Sequence, residues 1–186
     1  MRDAAMTHFD NLETRSADDR ARDLATALPA QIARAQALAG YAGRLDGVDA
    51  AAIKDAAALA GLPVLRKSEI GTAQAGQPPF GGFTMRPASG FAYVFQSPGP
   101  IYEPGGIEHD WWRMGRFLHA CGIGKGDIVQ NCFGYHLTPA GMIFESGARA
   151  VGAAVLPAGT GQTDLQVTAA HDTGVTAYAG TPDYLK

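Results

Sequence analysis

From residue 91 onward, short apolar runs alternate with stretches of helix length, and this alternation restricts the fold more than any other feature of the sequence. Strand-length runs are predicted at 91–96, 127–133, 153–157 and 175–180. Helices are predicted between them at 107–121, 139–152 and 163–174. Alternation of this kind is typical of right-handed βαβ units, whose parallel strands form one sheet covered on both faces. We therefore predict an α/β fold with a doubly wound, mostly parallel sheet.

The residues that precede this alternation are predicted to be mostly helical. Ser16 can act as an N-cap, because acidic residues follow it and apolar residues then recur at fourfold spacing. We predict helical structure over 16–60, divided into two helices at Pro29, and a helix end at Gly61. Residues 71–90 are rich in Gly and Pro and lack periodicity, which predicts a long irregular connection.

Two regions are therefore expected along the chain. A helical and irregular region covers residues 1–90, and an incomplete βαβ subdomain covers residues 91–186. Thr181 and Pro182 can serve as the N-cap and first residue of another helix close to the end of the chain. We expect the chain to be an N-terminal part of a longer protein, or to have a separate partner chain that completes the fold. An uncovered apolar surface at this end would also favour a homodimer.

The composition excludes several classes of protein. Hydrophobic residues make up 46% of the chain and charged residues 18%, which is typical of a globular protein and not of a disordered one. The formal net charge of -3 lacks the basic excess of nucleic-acid-binding proteins. No stretch reaches the roughly 18 apolar residues of a membrane helix, and the N-terminus lacks the apolar core of a signal peptide. We expect a cytoplasmic protein that binds neither nucleic acid nor a membrane.

Ligands of open parallel sheets bind at the carboxyl ends of the strands, where four loops of this chain are predicted to meet. These loops cover residues 97–106, 134–141, 158–164 and 180–183. They are rich in Gly, Pro and hydroxyl residues, which suit a close approach of the backbone to a ligand. Gly and Pro are also the ordinary residues of turns, so the same composition fits plain connections equally well.

The common catalytic and nucleotide-binding motifs are absent from the sequence. Residues 122–127 lack the Ser or Thr that follows the Lys of a Walker A loop, and residues 159–164 lack the third Gly of a dinucleotide fingerprint. No Gly-x-Ser-x-Gly nucleophile elbow occurs, and the histidines show no zinc-binding spacing. His136 is the one histidine in a predicted edge loop, where it either faces a substrate or is simply solvated.

Both cysteines are predicted to be small buried hydrophobic residues and not nucleophiles. Cys121 lies at a predicted helix end, and Cys132 lies in a predicted strand. Two cysteines without CxxC spacing are too few for a secreted disulfide framework, which agrees with an intracellular location.

Three short motifs follow the predicted strands at one edge of the sheet. The first is Phe133-Gly134-Tyr135, which follows a strand that begins at Gly126-Asp127. The second is Gly161-Gln162-Thr163, and the third is Thr181-Pro182. With the residues between them, from about 102 to 185, they resemble the phenylacetate-CoA ligase branch of the adenylate-forming acyl-CoA synthetase superfamily. Shorter stretches at 12–20 and 62–70 are also similar to that branch.

The resemblance implies a two-step reaction within a larger adenylate-forming large domain. ATP and a small aromatic carboxylic acid, either an aryl or an arylacetic acid, give an acyl-adenylate and pyrophosphate, and the thiol of coenzyme A then displaces AMP. Mg²⁺ and cationic groups stabilise the charge that develops at the α-phosphate. The adenine contacts, the acidic Mg²⁺ ligand and the adenylation lysine of such enzymes correspond to positions beyond Lys186. The resemblance therefore implies no catalytic residue and no metal ligand in this chain, which should be inactive alone.

The resemblance also assigns a phosphate loop to residues 96–104. The residues that it matches or replaces there are Ser97, Gly99, Tyr102 and Glu103. Glu103 stands where a Lys is common, and a carboxylate repels a triphosphate unless a metal ion lies between them. A non-catalytic pseudoenzyme or acyl-binding module is therefore the alternative to an active ligase.

An acid-binding pocket is the second site that the resemblance implies. The residues that match its lining are Phe133, Tyr135, Thr138, Pro139 and Gly141, and Gly161 and Thr181 complete the set. His136 stands where a Gly is usual, which narrows the pocket or adds a polar contact to the ring of the acid.

Overall fold

The computed structural model describes residues 8–185, which divide into two compact units. Within the described residues, the first unit contains 8–14, 95–97 and 105–185, and the second contains 15–94 and 98–104. The two units interleave along the chain, and the division expected at residue 90 stays a prediction.

A parallel sheet of three strands forms the centre of the first unit. The strands are β3 (Ile128–Asn131), β4 (Ala154–Leu156) and β5 (Ala177–Ala179), in the order β4-β3-β5. Val129 lies opposite Val155 on one side and Ala177 on the other. Helix α5 (Ala140–Ala150) connects β3 to β4, and α6 (Thr163–Thr173) connects β4 to β5. The predicted α/β fold with a parallel sheet is confirmed.

Small residues allow the helices of this unit to pack closely on the sheet. Leu118, Val129 and Ala148 are almost completely buried and form one cluster. A methyl group on Gly147 of α5 would lie 2.7 Å from Cβ of Met114, so the chain before α4 (Gly115–Ala120) passes directly against this glycine. The cluster is the hydrophobic core that holds β3 under both helices.

Helix α4 is much shorter than the helix that we predicted at 107–121, with Trp111, Met114 and Leu118 on one face. Asp110 and Arg113 adopt positive φ angles of 49° and 58°, which interrupt helical geometry before residue 115. The carboxylate of Asp110 accepts hydrogen bonds from the backbone N–H of Gly115 at 3.0 and 3.1 Å and so satisfies one of the N–H groups that have no partner within the helix. Trp111 precedes the helix, so the predicted helical face was wrong.

Residues 97–106, predicted as a loop of the parallel sheet, form most of a separate two-stranded sheet. Strands β1 (Tyr93–Ser97) and β2 (Ile101–Gly105) are paired with each other. Gly99 has a φ of 148°, a conformation that lets the chain reverse between Pro98 and Pro100. The prediction that β1 belongs to the parallel sheet was therefore wrong. Its short run of apolar residues fits a strand of a hairpin as well as a buried strand of a parallel sheet.

The second unit begins with helix α1 (Ala17–Gln36), which Ser16 caps as predicted by accepting the N–H of Asp19 at 3.0 Å. The division predicted at Pro29 was wrong, because Pro29 lies inside the continuous helix. One missing helical hydrogen bond is tolerated in a helix that is mostly exposed, where water can replace it.

Two further helices follow in this unit, α2 (Ala56–Ala60), which ends at Gly61 as predicted, and α3 (Lys67–Gly76). Helix α3 covers part of the connection predicted to be irregular at 71–90. Glu69 starts this helix by accepting the N–H of Arg66 at 2.7 Å, a bond that lowers the pKa of the Glu69 carboxyl together with the nearby Arg44. Local capping thus overrides the poor helix propensity of the Gly-containing segment.

Short 3-10 turns complete the two units. They are Asn11–Thr14, Ala39–Tyr41, Ala50–Ala52, Ala88–Gly90 and Pro182–Tyr184. Across residues 8–185, none of the helices combines the length and the apolar character required to cross a membrane.

Replacing Leu118 by Ala should lower the free energy of unfolding of the first unit by about 2–5 kcal/mol, because it opens a cavity in the core. The control is Phe117→Ala in the same helix, since Phe117 is 53% exposed and should change stability little. Urea titration followed by circular dichroism measures both variants. An equal loss in the two would contradict the described core.

Candidate functional site

The chain leaves the carboxyl ends of β3 and β4 towards opposite faces of the sheet. From β3 the chain moves through α5 to β4 on one side, and from β4 it returns through α6 to β5 on the other side. Right-handed connections with this strand order place the two helices on opposite faces of the sheet and open a crevice where they diverge. Three of the four predicted edge loops lie at this edge, after β3, β4 and β5.

Backbone hydrogen bonds join these loops to each other within the first unit. The N–H of Gly159, in the loop after β4, donates to the carbonyl of Asn131 at 2.9 Å. The N–H of Gln96, near the end of β1, donates to the carbonyl of Leu137 at 2.8 Å. The loop after β3 therefore lies beside both the loop after β4 and the end of β1.

Asn131 ends the central strand and organises the loop that follows it. Its side chain is completely buried, and Nδ2 donates to the hydroxyl of Tyr135 and to the carbonyl of Gly141, both at 2.8 Å. Its Oδ1 accepts the N–H of Phe133 at 3.2 Å. One buried amide thus ties β3, the loop after it and the first turn of α5 together.

Tyr135 lies half-buried at the crevice, with its hydroxyl engaged within the protein. Burial raises the pKa of this phenol well above its usual value, and the negative charge of Glu145 raises it further. A methyl group on Gly141 would lie 2.9 Å from Cδ2 of Tyr135, and one on Gly159 would lie 3.9 Å from the same atom. Because its hydroxyl accepts from Asn131 and is also hydrogen-bonded to the carboxylate of Glu145, the ring is what Tyr135 can offer to a ligand.

The other predicted pocket residues divide between the core and the surface. Phe133 stacks on Phe144 with ring centroids 4.4 Å apart and packs against the hydrophobic core. Pro139 is buried before α5, and the N–H of Thr138 donates to the carbonyl of His136 at 2.8 Å. His136 itself is exposed.

Two more predicted residues lie in the other loops of this edge. The carbonyl of Gly161 accepts the hydroxyl of Tyr184 at 2.9 Å, and the carbonyl of Thr181 accepts the hydroxyl of Tyr178 at 3.1 Å. Gly161 and Thr181 are both exposed. Their assignment to an acid pocket stays a prediction, as do those of the residues in the loop after β3.

The predicted phosphate-loop residues lie on the β1–β2 hairpin. Ser97 is buried, Gly99 is exposed in the turn, and Glu103 is partly buried. Tyr102 is held through its backbone, whose N–H donates to Oε1 of Gln74 at 2.9 Å and whose carbonyl accepts from Nε2 of Gln74 at 2.8 Å. The role of these four residues in phosphate binding stays a prediction.

Two buried amide side chains at this edge, Asn131 and Gln166, were missed by the sequence analysis. Gln166 lies in α6 and its amide bonds to the loop after β4. The available signal was weak, since Asn131 follows a short apolar strand and Gln166 lies in a helix of mixed polarity. No group of three or more His, Cys, Asp or Glu residues able to hold a metal ion occurs within residues 8–185.

The two cysteines differ in environment. Cys132 is buried as predicted, and burial raises the pKa of its thiol. Cys121 is exposed, so the prediction that it is buried was wrong. Helix α4 ends at Ala120, and Cys121 is the residue that caps its C-terminal end.

No protein-family model matches the chain. Among curated proteins, the chain is 30% identical over 146 residues to a phenylacetate-coenzyme A ligase of Aromatoleum evansii. This match covers 75% of the chain and 32% of that ligase, so the chain spans about a third of the length of this relative.

Solved structures of 2-hydroxyisobutyryl-CoA ligase have the same fold over most of the chain. The complex with 2-HIB-AMP and CoA in the thioesterification state superposes with a TM-score of 0.85 at 22% identity, covering 99% of this chain and 42% of that one. The complex with R3-HIB-AMP in the postadenylation state has a TM-score of 0.81 at 22% identity, covering 91% of this chain and 38% of that one.

The difference between the two thiols is directly measurable. In the native protein Cys121 should react with a disulfide reagent at pH 8 at least about tenfold faster than Cys132, because burial both blocks the reagent and lowers the thiolate fraction. Single variants Cys121→Ser and Cys132→Ser identify the two phases. A fast phase that persists in Cys121→Ser would contradict the burial of Cys132.

Proposed function

Because the chain belongs to the adenylate-forming acyl-CoA synthetase superfamily, we propose that it is part of an enzyme that joins an aromatic carboxylic acid to coenzyme A through an acyl-adenylate. An aryl or arylacetic acid is the proposed substrate. The match to a phenylacetate-coenzyme A ligase supports this substrate class. The observation that carries the proposal is the position of Tyr135 at the divergence of the chain connections, where open parallel sheets bind ligands.

The proposed contribution of this chain is to hold the acid in position. The hydroxyl of Tyr135 is anchored by Asn131, and Gly141 leaves no room for the ring to move towards α5. An aromatic ring fixed in this way can pack against the ring of an acid with little loss of side-chain entropy. His136 is exposed on the same loop and is the proposed polar contact to a substituent of that ring.

ATP and coenzyme A are the proposed co-substrates, and the bound nucleotide and CoA in the solved relative support this proposal. When bound, ATP supplies the α-phosphate that the acid attacks and pyrophosphate as the leaving group. Following the family resemblance, we propose that the Mg²⁺ ligand, the adenine contacts and the adenylation lysine belong to another part of the complete protein or to a partner chain, and that this chain alone is inactive.

A non-catalytic acyl-binding protein is the alternative function. The turn of the β1–β2 hairpin consists of Pro98, Gly99 and Pro100, and Glu103 lies on its second strand. A rigid turn hinders a close approach of the backbone to a phosphate group. The nearby carboxylate repels the negative charge of the phosphate. In this alternative the acid pocket remains and adenylation is lost.

Acid-dependent exchange between ATP and pyrophosphate in the product of the complete reading frame tests the proposal, with phenylacetate, benzoates and hydroxylated analogues as substrates. We expect exchange with at least one of these acids. Absence of exchange from a folded full-length protein that still binds an aromatic acid would support the acyl-binding alternative.

Replacing Tyr135 by Ala should weaken the binding of the aromatic acid by about tenfold or more, because ring packing is lost. Tyr135→Phe is the matched control, since it keeps the ring and should change the dissociation constant by less than about threefold. Isothermal titration calorimetry measures both. Wild-type affinity in Tyr135→Ala would place the acid pocket elsewhere.

Replacing Glu103 by Lys should strengthen ATP binding by about fivefold if the hairpin contacts phosphates, because a repulsive charge becomes attractive. Glu108→Lys changes the net charge equally but lies outside the β1–β2 hairpin, and it should have a smaller effect. Calorimetry at two salt concentrations compares the variants. Equal effects of the two substitutions would contradict the phosphate-loop assignment.

A further inference from the structure

Gln166 is buried in α6, with 7% of its surface exposed, and both ends of its side-chain amide are bonded. Nε2 faces three carbonyl oxygens of one loop, those of Ala158 at 3.3 Å, Gly159 at 3.2 Å and Gly161 at 2.7 Å. Oε1 accepts from Sγ of Cys132 at 3.2 Å and from Nε2 of Gln130 at 3.1 Å. A single amide thus links the loop after β4 to the central strand β3 and the residue that follows it.

The loop that Gln166 binds has an unusual backbone. Gly159, Gly161 and Gln162 have φ angles of 66°, 84° and 51°, in the left-handed region. For Gln162 this conformation is strained, because its side chain crowds the backbone. Such a loop cannot form a regular hydrogen-bond ladder, so its carbonyl groups need other donors. Gln166 donates to three of them, and the hydroxyl of Tyr184 is a second donor to the carbonyl of Gly161.

The position of this loop determines the space beside Tyr135. The N–H of Gly159 is bonded to the carbonyl of Asn131, and a methyl group on Gly159 would lie 3.9 Å from the Tyr135 ring. If the loop shifts by about an ångström, the distance between Gly159 and the Tyr135 ring changes by a similar amount. The bonds of Gln166 therefore act on the proposed acid site without any contact between Gln166 and the acid.

We infer that Gln166 is a positioning residue that holds residues 158–161 against the end of β3 and so fixes one wall of the acid-binding site. This inference rests on the proposed function for its pocket and on the described hydrogen bonds for the loop. Loss of the Gln166 amide removes its hydrogen bonds to three loop carbonyls at once, and the carbonyl of Gly161 keeps the hydroxyl of Tyr184 as its donor. The affinity for the acid then falls, while chemical steps that occur after the acid is bound change less.

The test uses Gln166→Met in the complete protein, because Met has a similar length and forms no comparable hydrogen bonds. Gln130→Met is the matched control. It removes the side chain that donates to Oε1 of Gln166, and it leaves the bonds from Nε2 of Gln166 to the loop in place. Leu118→Ala is the second control, since it destabilises the first unit at a core position outside the loop. All variants carry Cys121→Ser, so that Cys132 is the one cysteine left within this chain, and peptide mass spectrometry reads its modification separately from that of thiols elsewhere in the complete protein.

Two readouts need no enzymatic activity. They are the rate at which a disulfide reagent modifies Cys132 and the rate of hydrogen exchange at the N–H of Gly159. Both should rise about tenfold in Gln166→Met relative to both controls, because Cys132 loses its acceptor and the loop separates from Asn131. Rates equal to those of Leu118→Ala would overturn the positioning role, since they would reflect general destabilisation.

The third readout is the kinetics of acid-dependent exchange. The KM for the acid should rise about tenfold in Gln166→Met, with kcat changed less than about threefold, and both controls should keep the wild-type KM. Faster loop exchange with an unchanged KM would overturn the assignment of the loop as a pocket wall. A wild-type protein without any acid-dependent exchange would contradict the proposed adenylation and not the pocket wall, which is then tested by the calorimetric affinity of Gln166→Met for the acid. The thiol and amide rates decide in either case whether Gln166 holds the loop.

Discussion

The pairing of β3 with a parallel strand on each side is the constraint on which the rest of the first unit depends. Val129 lies opposite Val155 and Ala177, and it is almost completely buried under the helices. Because all three strands run in the same direction, their carboxyl ends reach one edge of the sheet. Each loop that the family resemblance associates with the acid pocket therefore begins at that edge.

Two buried amide side chains hold the loops at this edge of the sheet in position. Asn131 holds the loop after β3 through Tyr135 and the carbonyl of Gly141, and Gln166 holds the loop after β4. Loops of this length carry backbone groups that regular structure leaves without partners, and burying such groups without hydrogen bonds destabilises a protein. No buried side-chain nitrogen or oxygen in residues 8–185 lacks a hydrogen-bond partner. The polar side chains at this edge can therefore lie directly against the hydrophobic core, because their buried atoms are hydrogen-bonded.

The candidate site was predictable from the sequence to different degrees. Tyr135 and Gly141 were identified through their motif, and the structure brings them into contact at the crevice. Phe133 was identified through the same motif, yet its ring stacks on Phe144 in the core, because the chain leaves strand geometry after Asn131 and the local sequence does not determine where each ring points. Asn131 and Gln166 were missed, since their importance arises from partners up to 36 positions away in the chain.

By itself, the sequence determined the α/β class, the three parallel strands and the helices α5 and α6, because apolar periodicity and turn residues act over a few neighbouring positions. The tertiary structure decided that residues 97–106 form part of a hairpin, that α4 begins only at Gly115, and that α1 continues through Pro29. It also decided which polar side chains hold the edge loops. These features depend on pairing partners, a carboxylate at the helix start and buried hydrogen bonds, and such long-range contacts leave no periodic pattern in the chain.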